Sequence, residues 1–220
     1  MLNQESVFKR TTGSDTMSRN AYNFLMGVVL LWGFAINWLL VTNVPVESLL
    51  AINKWVFLGG YFASCLIGIF MMAKSSNPMI SFIGYNFIVV PFGLVLNMVL
   101  YNIAPDIIQS AIQTTALVTF SMMVLGTLFP KFFESISGAL FWSLLIVIVV
   151  EVVQSMFFNT HSGILDWIVA FIFCGYIGVD WGRANRIPKT ADNAIDSAAA
   201  LYMDIIILFM RIVQIFARNK

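Results

Sequence analysis

The chain has 220 residues, of which 60% are hydrophobic and only 10% are charged, with a formal net charge of +1. Soluble domains carry about 25% charged residues, so this composition excludes a soluble globular domain and indicates an integral membrane protein. The nearly neutral charge also excludes the basic face that nucleic-acid binding requires. Cys65 and Cys174 both lie in apolar stretches and fit neither a disulfide framework nor a zinc-binding pattern.

Residues 1–20 are polar and are predicted to form a cytoplasmic N-terminal tail, with no cleavable signal sequence. Seven apolar stretches follow, each of about 20 residues or more, the length that a helix needs to cross a bilayer. These predicted spans are residues 21–43, 50–73, 79–101, 107–129, 135–158, 163–182 and 195–217. The fold class is therefore an all-α integral membrane protein, with a seven-helix transmembrane domain over 21–217 and a C-terminal tail over 218–220.

Proline and glycine mark several features of these spans. Five prolines fall in or beside the predicted links, as helix boundaries predict: Pro45, Pro78, Pro105, Pro130 and Pro188. Pro91 falls inside the third span and is predicted to kink it. The Gly59–Gly60 pair in the second span is interpreted as a place where two helices pack closely.

Basic residues predict the orientation of the chain. With the N-terminus in the cytoplasm, most basic residues fall in inner segments: Lys9, Arg10, Arg19, Lys74, Lys131, Arg183, Arg186 and Lys189. Seven crossings then place Arg218 and Lys220 outside, against the charge rule, unless one late segment is re-entrant. We expect seven crossings of a bacterial plasma membrane, with an organellar membrane as the alternative.

Residue types that carry catalysis are scarce. The single histidine, His161, stands beside Ser162 in a predicted outer link and is interpreted as a solvated residue rather than half of a dyad. The sequence contains no G-x-S-x-G motif, H-E-x-x-H motif or glycine-rich phosphate loop. We therefore expect neither an enzymatic activity nor a cofactor.

Three carboxylates interrupt the apolar spans: Glu151, Asp180 and Asp204. An Asp at the centre of a transmembrane helix costs roughly 2.5–3.5 kcal/mol, which favours a role with protons or cations over a hydrogen bond to a neighbouring helix. Counted from the predicted link at 183–194, Asp180 and Asp204 lie at depths that differ by about 10 Å in a straight hairpin, and by less if the link is asymmetric. If they meet, two carboxylates in a low dielectric can share a proton or bind a cation such as Ca²⁺.

Other residues of the later spans have alternative interpretations. Glu151, near the outer end of the fifth span, is either a cation site at the outer mouth or a residue that reaches the interface. Arg211 shares a helix face with Asp204, and snorkelling to the interface is favoured over neutralising that Asp. Asp166 suits the positive end of a helix dipole. Small residues at 197–200 predict that the seventh span is central in the bundle.

The stretch Ala199–Phe209, AALYMDIIILF, resembles the A-x-x-L-Y-L-D-x-I-N-L-F signature of the Bax inhibitor-1 (transmembrane Bax inhibitor motif) family. Asp180 before a short polar link resembles the Asp at the end of the sixth helix of that family. Further matching positions are Thr115, Ala116 and Phe120 in the fourth span, Tyr85 with Pro91–Leu94 in the third, and Lys131 with Glu134. Val179 replaces the usual Tyr, and Ile207 replaces the usual Asn.

The resemblance implies a central seventh helix and a pH-sensitive Ca²⁺ leak channel of the lipid bilayer. In this interpretation Asp180 and Asp204 are the pH sensor, line the ion pathway and bind Ca²⁺. The family's latch Arg near the inner end of the second helix is replaced by Ala73, and Lys74 follows as a possible latch partner. The alternatives are a proton-coupled secondary transporter that uses the same carboxylates, and a non-transporting membrane interaction protein that modulates cell survival.

Overall fold

The structure, a computed structural model, describes residues 16–155 and 163–218. The predicted N-terminal tail before residue 16, including Lys9 and Arg10, lies outside the described residues. So do His161, Ser162, the last residues of the predicted fifth span, and the final two residues of the predicted C-terminal tail.

The described residues form eight α-helices and contain no strand. The helices are α1 (Arg19–Asn43), α2 (Val46–Leu50), α3 (Lys54–Lys74), α4 (Pro78–Leu100), α5 (Pro105–Leu128), α6 (Pro130–Val153), α7 (Gly163–Ala184) and α8 (Ala191–Arg218). All except the five-residue α2 are long and apolar enough to cross a membrane. The predicted all-α class with seven candidate membrane spans is confirmed.

Helix starts explain where the predicted boundaries were wrong. Pro78, Pro105 and Pro130 begin α4, α5 and α6, because proline at the first helical position loses no hydrogen bond and already has a helical φ. As a result α6 begins at Pro130 rather than at 135, and a single residue, Phe129, separates α5 from α6. The second span begins at Lys54 rather than at 50, because the Asn53 side chain caps it by accepting from the Trp55 amide.

The chain forms two compact units. The first contains α1 to α4 and the part of α8 that ends at Tyr202. The second contains α5 to α7 and the part of α8 that begins at Met203. The predicted central position of this last helix stays a prediction.

Close packing in the first unit depends on glycines other than the predicted pair. A Cβ atom on Gly84 of α4 would lie 2.7 Å from the carbonyl oxygen of Gly68 in α3, so the two backbones meet there. Gly59 and Gly60 face open space, and the prediction that this pair packs closely was wrong. α4 continues through Pro91 and also packs against α1.

In the second unit, α7 packs against both α5 and α6. A Cβ on Gly126 of α5 would lie 2.6 Å from the carbonyl oxygen of Gly178, and the Trp181 indole donates to Thr127 Oγ1 at 2.8 Å. The later residue of α5 contacts the later residue of α7 in these two pairs, so α5 and α7 run in the same direction. α6 runs the opposite way, since its residues from Pro130 to Leu140 meet α7 from Gly182 back to Gly175.

Candidate functional site: a buried carboxyl pair

Asp180 and Asp204 meet inside the second unit. Asp180 lies in the last turns of α7 and Asp204 lies within α8. The Asp204 residue is 6% exposed and the Asp180 side chain 14% exposed. The two carboxyl groups are near enough to interact electrostatically. An ionised carboxylate has no donor, so a hydrogen bond between the two groups requires a proton on one of them.

The two aspartates interact, although counting from the link in a straight hairpin places them about 10 Å apart in depth. α7 and α8 therefore do not form the straight hairpin that this count assumes. In the second unit Asp204 reaches Asp180, while Arg218 at the other end of α8 reaches Asp166.

Arg183 is a partner of Asp180 that the sequence interpretation missed. Its Nη1 lies 3.3 Å from Asp180 Oδ1, and its side chain is 38% exposed. The sixth span was predicted to end at 182, which left Arg183 in a link. Because α7 continues to Ala184, the two residues form an i,i+3 pair in the last turn, where a cation also suits the helix dipole.

One carboxylate oxygen of the pair has no protein donor. Asp204 Oδ2 is buried and has no hydrogen-bond partner in the described part of the chain. A buried acceptor of this kind is open to a water molecule, a cation or a further proton. The described residues contain no group of three or more His, Cys, Asp or Glu placed to hold a metal ion. A Ca²⁺ ion at Asp180 and Asp204 would therefore complete its shell with water or backbone oxygens.

Lys74, the predicted latch partner, ends α3 in the first unit. Its side chain is exposed, and its ammonium group lies 5.8 Å from the centre of the Phe70 ring. A latch between Lys74 and Asp180 stays a prediction. The cation that the structure places beside Asp180 is Arg183.

A second group of charges in this unit, which we call the four-charge cluster, consists of Glu151, Asp166, Arg211 and Arg218. Arg211 Nη1 donates to Asp166 Oδ1 at 2.8 Å, and its Nη2 donates to Glu151 Oε2 at 2.9 Å. Arg218 Nη1 lies 3.1 Å from Asp166 Oδ2. The formal charges of the cluster cancel.

The four-charge cluster corrects one interpretation and extends another. Arg211 was expected to snorkel to the interface, but it is an internal ion-pair partner. Asp166 lies in the first turn of α7, as the helix-dipole interpretation expects, and its side chain is in addition fully buried between two arginines. Glu151 is held by Arg211, so a mobile cation at the predicted outer-mouth site would compete with a guanidinium. The signal in the sequence was the seven-residue spacing of the two arginines on one face of α8.

The first unit holds a polar group at the start of α8 that the sequence interpretation also missed. Ser81 donates to Asp192 Oδ1 at 2.6 Å, and a 2.9 Å hydrogen bond joins Tyr22 and Ser197. The Lys189 ammonium lies 4.7 Å from the centre of the Tyr22 ring. Burial, followed by repulsion from Arg19, lowers the pKa of Lys189 from its ordinary value of 10.5.

Comparisons with known proteins identify the family to which the chain is similar. Residues 14–220 match the family described as "Inhibitor of apoptosis-promoting Bax1". An uncharacterised membrane protein of Streptococcus pyogenes is 26% identical over 137 residues, 58% of either chain. A BI1-like protein of Arabidopsis thaliana is 37% identical over 93 residues, which are 40% of this chain and 35% of the relative. The chain thus spans little more than half the length of the bacterial relative.

Proposed function

The chain belongs to the Bax inhibitor-1 family, and on that premise we propose that it is a Ca²⁺ leak channel whose conductance depends on protonation of Asp180 and Asp204. The observation that supports this most directly is the proximity of the two carboxyl groups in an apolar interior. We further propose that the protein lies in a bacterial plasma membrane with its N-terminus in the cytoplasm, as the basic inner links favour.

The charge state of the pair explains how pH acts. With one shared proton the pair carries a single negative charge, which Arg183 beside Asp180 balances. A second proton removes the ion pair with Arg183 and leaves a net positive charge. Loss of the shared proton leaves two carboxylates that repel each other in a low dielectric. Either change weakens the contact between α7 and α8 and so shifts the balance between two conformations.

The same pair also provides the attraction for a cation. Ca²⁺ prefers carboxylate and other oxygen ligands, and Asp204 Oδ2 has no protein donor among the described residues. The ionised pair therefore offers a transient binding position along the permeation pathway. Binding must stay weak enough for the ion to leave. Two carboxylates without a complete set of protein ligands are consistent with such weak binding.

Calcium flux into liposomes tests this proposal. Purified protein is reconstituted with an internal Ca²⁺ indicator, and flux is measured over a range of pH for the wild type, Asp180→Asn and Asp204→Asn. We expect both variants to lose the pH dependence, because Asn keeps a hydrogen-bonding shape but cannot ionise. Asp106→Asn, at the exposed start of α5, is the matched control, and Lys74→Met in the same series tests the latch.

The alternatives give different results in that assay. A proton-coupled transporter would show saturable uptake driven by a pH gradient, and a non-transporting interaction protein would leave liposome permeability unchanged. A wild-type pH profile in both Asn variants would refute the assignment of the pair as the sensor.

A further inference from the structure

Two hydroxyl groups on α5 lack the hydrogen bond that their neighbours on the same helix make. Ser110, Ser121 and Thr127 each donate to the carbonyl four residues earlier, at 2.8, 2.8 and 2.9 Å. Thr115 and Thr119 are 4% and 8% exposed, and neither hydroxyl has a partner within the described residues. A buried hydroxyl without a partner is costly, so these two groups point to a partner other than protein.

The two threonines face the interior of the second unit. They belong to the buried stripe of α5 that also contains Ala111 and Gly126. Gly126 touches Gly178 of α7, so the stripe is the face that α5 turns toward α7.

Their depth follows from the packing of the two helices. Gly126 lies beside Gly178 and Gly182, which flank Asp180 in α7, so Gly126 and Asp180 are at a similar level. Thr119 and Thr115 lie about 10 and about 16 Å from that level along α5. Because α5 and α7 run in the same direction, this displacement leads from Asp180 toward Asp166. The two hydroxyls therefore lie between the carboxyl pair and the four-charge cluster.

Unpartnered acceptors on other helices of this unit extend over the same depth. Asp204 Oδ2 and Gln214 Oε1 on α8, and Gln154 Oε1 just after α6, are buried and have no donor in the described chain. Gln214 is ten residues from Asp204, which corresponds to about 15 Å of helix. Water is the donor that buried polar cavities most commonly bind.

We propose that Thr115 and Thr119 line an internal hydrated route in the second unit, in which water connects the carboxyl pair with the four-charge cluster. The route rests on the proposed ion conduction, since its purpose is to keep the moving cation partly hydrated between these two groups. A threonine hydroxyl can both donate to such water and accept from it. Oxygen groups of this kind are also the ligands that Ca²⁺ tolerates during transit.

Valine substitutions test the route because valine keeps the shape of threonine and removes the hydroxyl. In the liposome assay at a fixed pH, we expect Thr115→Val and Thr119→Val each to lower Ca²⁺ flux about five-fold, the loss of one hydrogen-bonding group. The double variant should show a larger loss. Ser121→Ala, an exposed hydroxyl on the same helix that bonds its own backbone, is the matched control and should keep wild-type flux.

A stability measurement separates loss of the route from misfolding. Replacing an unpartnered buried hydroxyl by a methyl group should leave the thermal midpoint in detergent unchanged or raise it. Lower flux together with an unchanged or higher midpoint supports the route. Wild-type flux in the double variant overturns it, and a lowered midpoint assigns the hydroxyls to folding instead.

Radiolytic hydroxyl-radical footprinting distinguishes failure of this inference from failure of the proposed function, because it labels buried side chains beside ordered water. We expect labelling on α5 around Thr119 in the wild type and its loss in the double variant. If the wild type carries no Ca²⁺ but shows this labelling, the hydrated route stands and the channel assignment fails. Absence of labelling in the wild type overturns the route whatever the flux.

Discussion

Two stretches of α8 carry buried aspartates, one in each compact unit, and their partners differ. At the start of α8, in the first unit, Asp192 accepts a hydrogen bond from Ser81 and Ser197 bonds Tyr22. Further along, in the second unit, Asp204 lies beside another carboxyl group and keeps one oxygen without a donor in the described chain. A serine hydroxyl bonds the first aspartate, whereas the second faces another acid.

The contrast shows that a buried aspartate can have a structural role in one place and a pH-dependent role in another. A serine hydroxyl keeps its proton at any physiological pH, so its bond to Asp192 is constant and holds the first turns of α8 in place. A bond between two carboxyl groups exists in one protonation state of the pair and weakens on either side of it. Changes in the first unit should therefore alter stability alone, whereas changes in the second should alter stability, conduction or both.

The largest effect is expected from Arg211→Met in the second unit. The substitution leaves Asp166, which is fully buried, and Glu151 without their shared cation. Removing one partner of a buried ion pair costs roughly 3–5 kcal/mol. Thermal unfolding in detergent measures the loss. Arg218→Met is the matched control and should lower the stability less. The Arg218 side chain is more exposed than that of Arg211, and it contacts Asp166 but not Glu151. An unchanged midpoint in Arg211→Met would contradict the structural role of this cluster.

A smaller effect is expected from Ser81→Ala in the first unit. The variant removes a donor from the buried Asp192 carboxylate, at a cost of about 1–3 kcal/mol, which thermal unfolding can measure. The pH profile of Ca²⁺ flux should stay that of the wild type. Ser135→Ala removes an exposed hydroxyl that bonds its own helix and should change neither quantity. If Ser81→Ala shifts the pH profile, the proposed division of roles between the two units is wrong.

The smallest effect is expected from Lys189→Met, which should change how the thermal midpoint depends on pH in alkaline solution. Burial in the folded protein disfavours the charged form of Lys189, so its pKa lies below the ordinary value of 10.5. In the unfolded chain the pKa of this lysine keeps the ordinary value. Between these two values the unfolded state binds more protons, and stability must rise with pH. Thermal midpoints over this range should show the rise in the wild type and lose it in Lys189→Met. Lys54→Met, at the exposed start of α3, should retain the rise of the midpoint with pH. If the rise persists in Lys189→Met, it belongs to another titrating group.

Much of the fold could be predicted because the bilayer imposes simple rules on the sequence. Runs of about 20 apolar residues predicted the seven spans, and the predicted starts at 79 and 107 lay within two residues of Pro78 and Pro105, where α4 and α5 begin. The start of α8 was missed because Asp192 and Asn193 lower the hydropathy of its first turn. Their burial comes from tertiary partners such as Ser81 and Tyr22, which no hydropathy window contains.

The two aspartates of the site could be predicted from the sequence, but the residues that contact them could not. A carboxylate in an apolar run is visible in the sequence, so Asp180 and Asp204 could be found there. The register of one helix against another is not visible, which is why the pairing of Arg211 with Asp166 was missed. Thr115 and Ser121 likewise look alike in the sequence, although only Ser121 bonds its own helix.

The single residue between α5 and α6 has a consequence for how these helices can move. Phe129 is the whole connector, and one residue spans less than about 4 Å. The end of α5 and the beginning of α6 therefore stay within a turn of each other in every conformation of the folded protein. A conformational change can alter the angle between the two helices, but it cannot slide one along the other at this end.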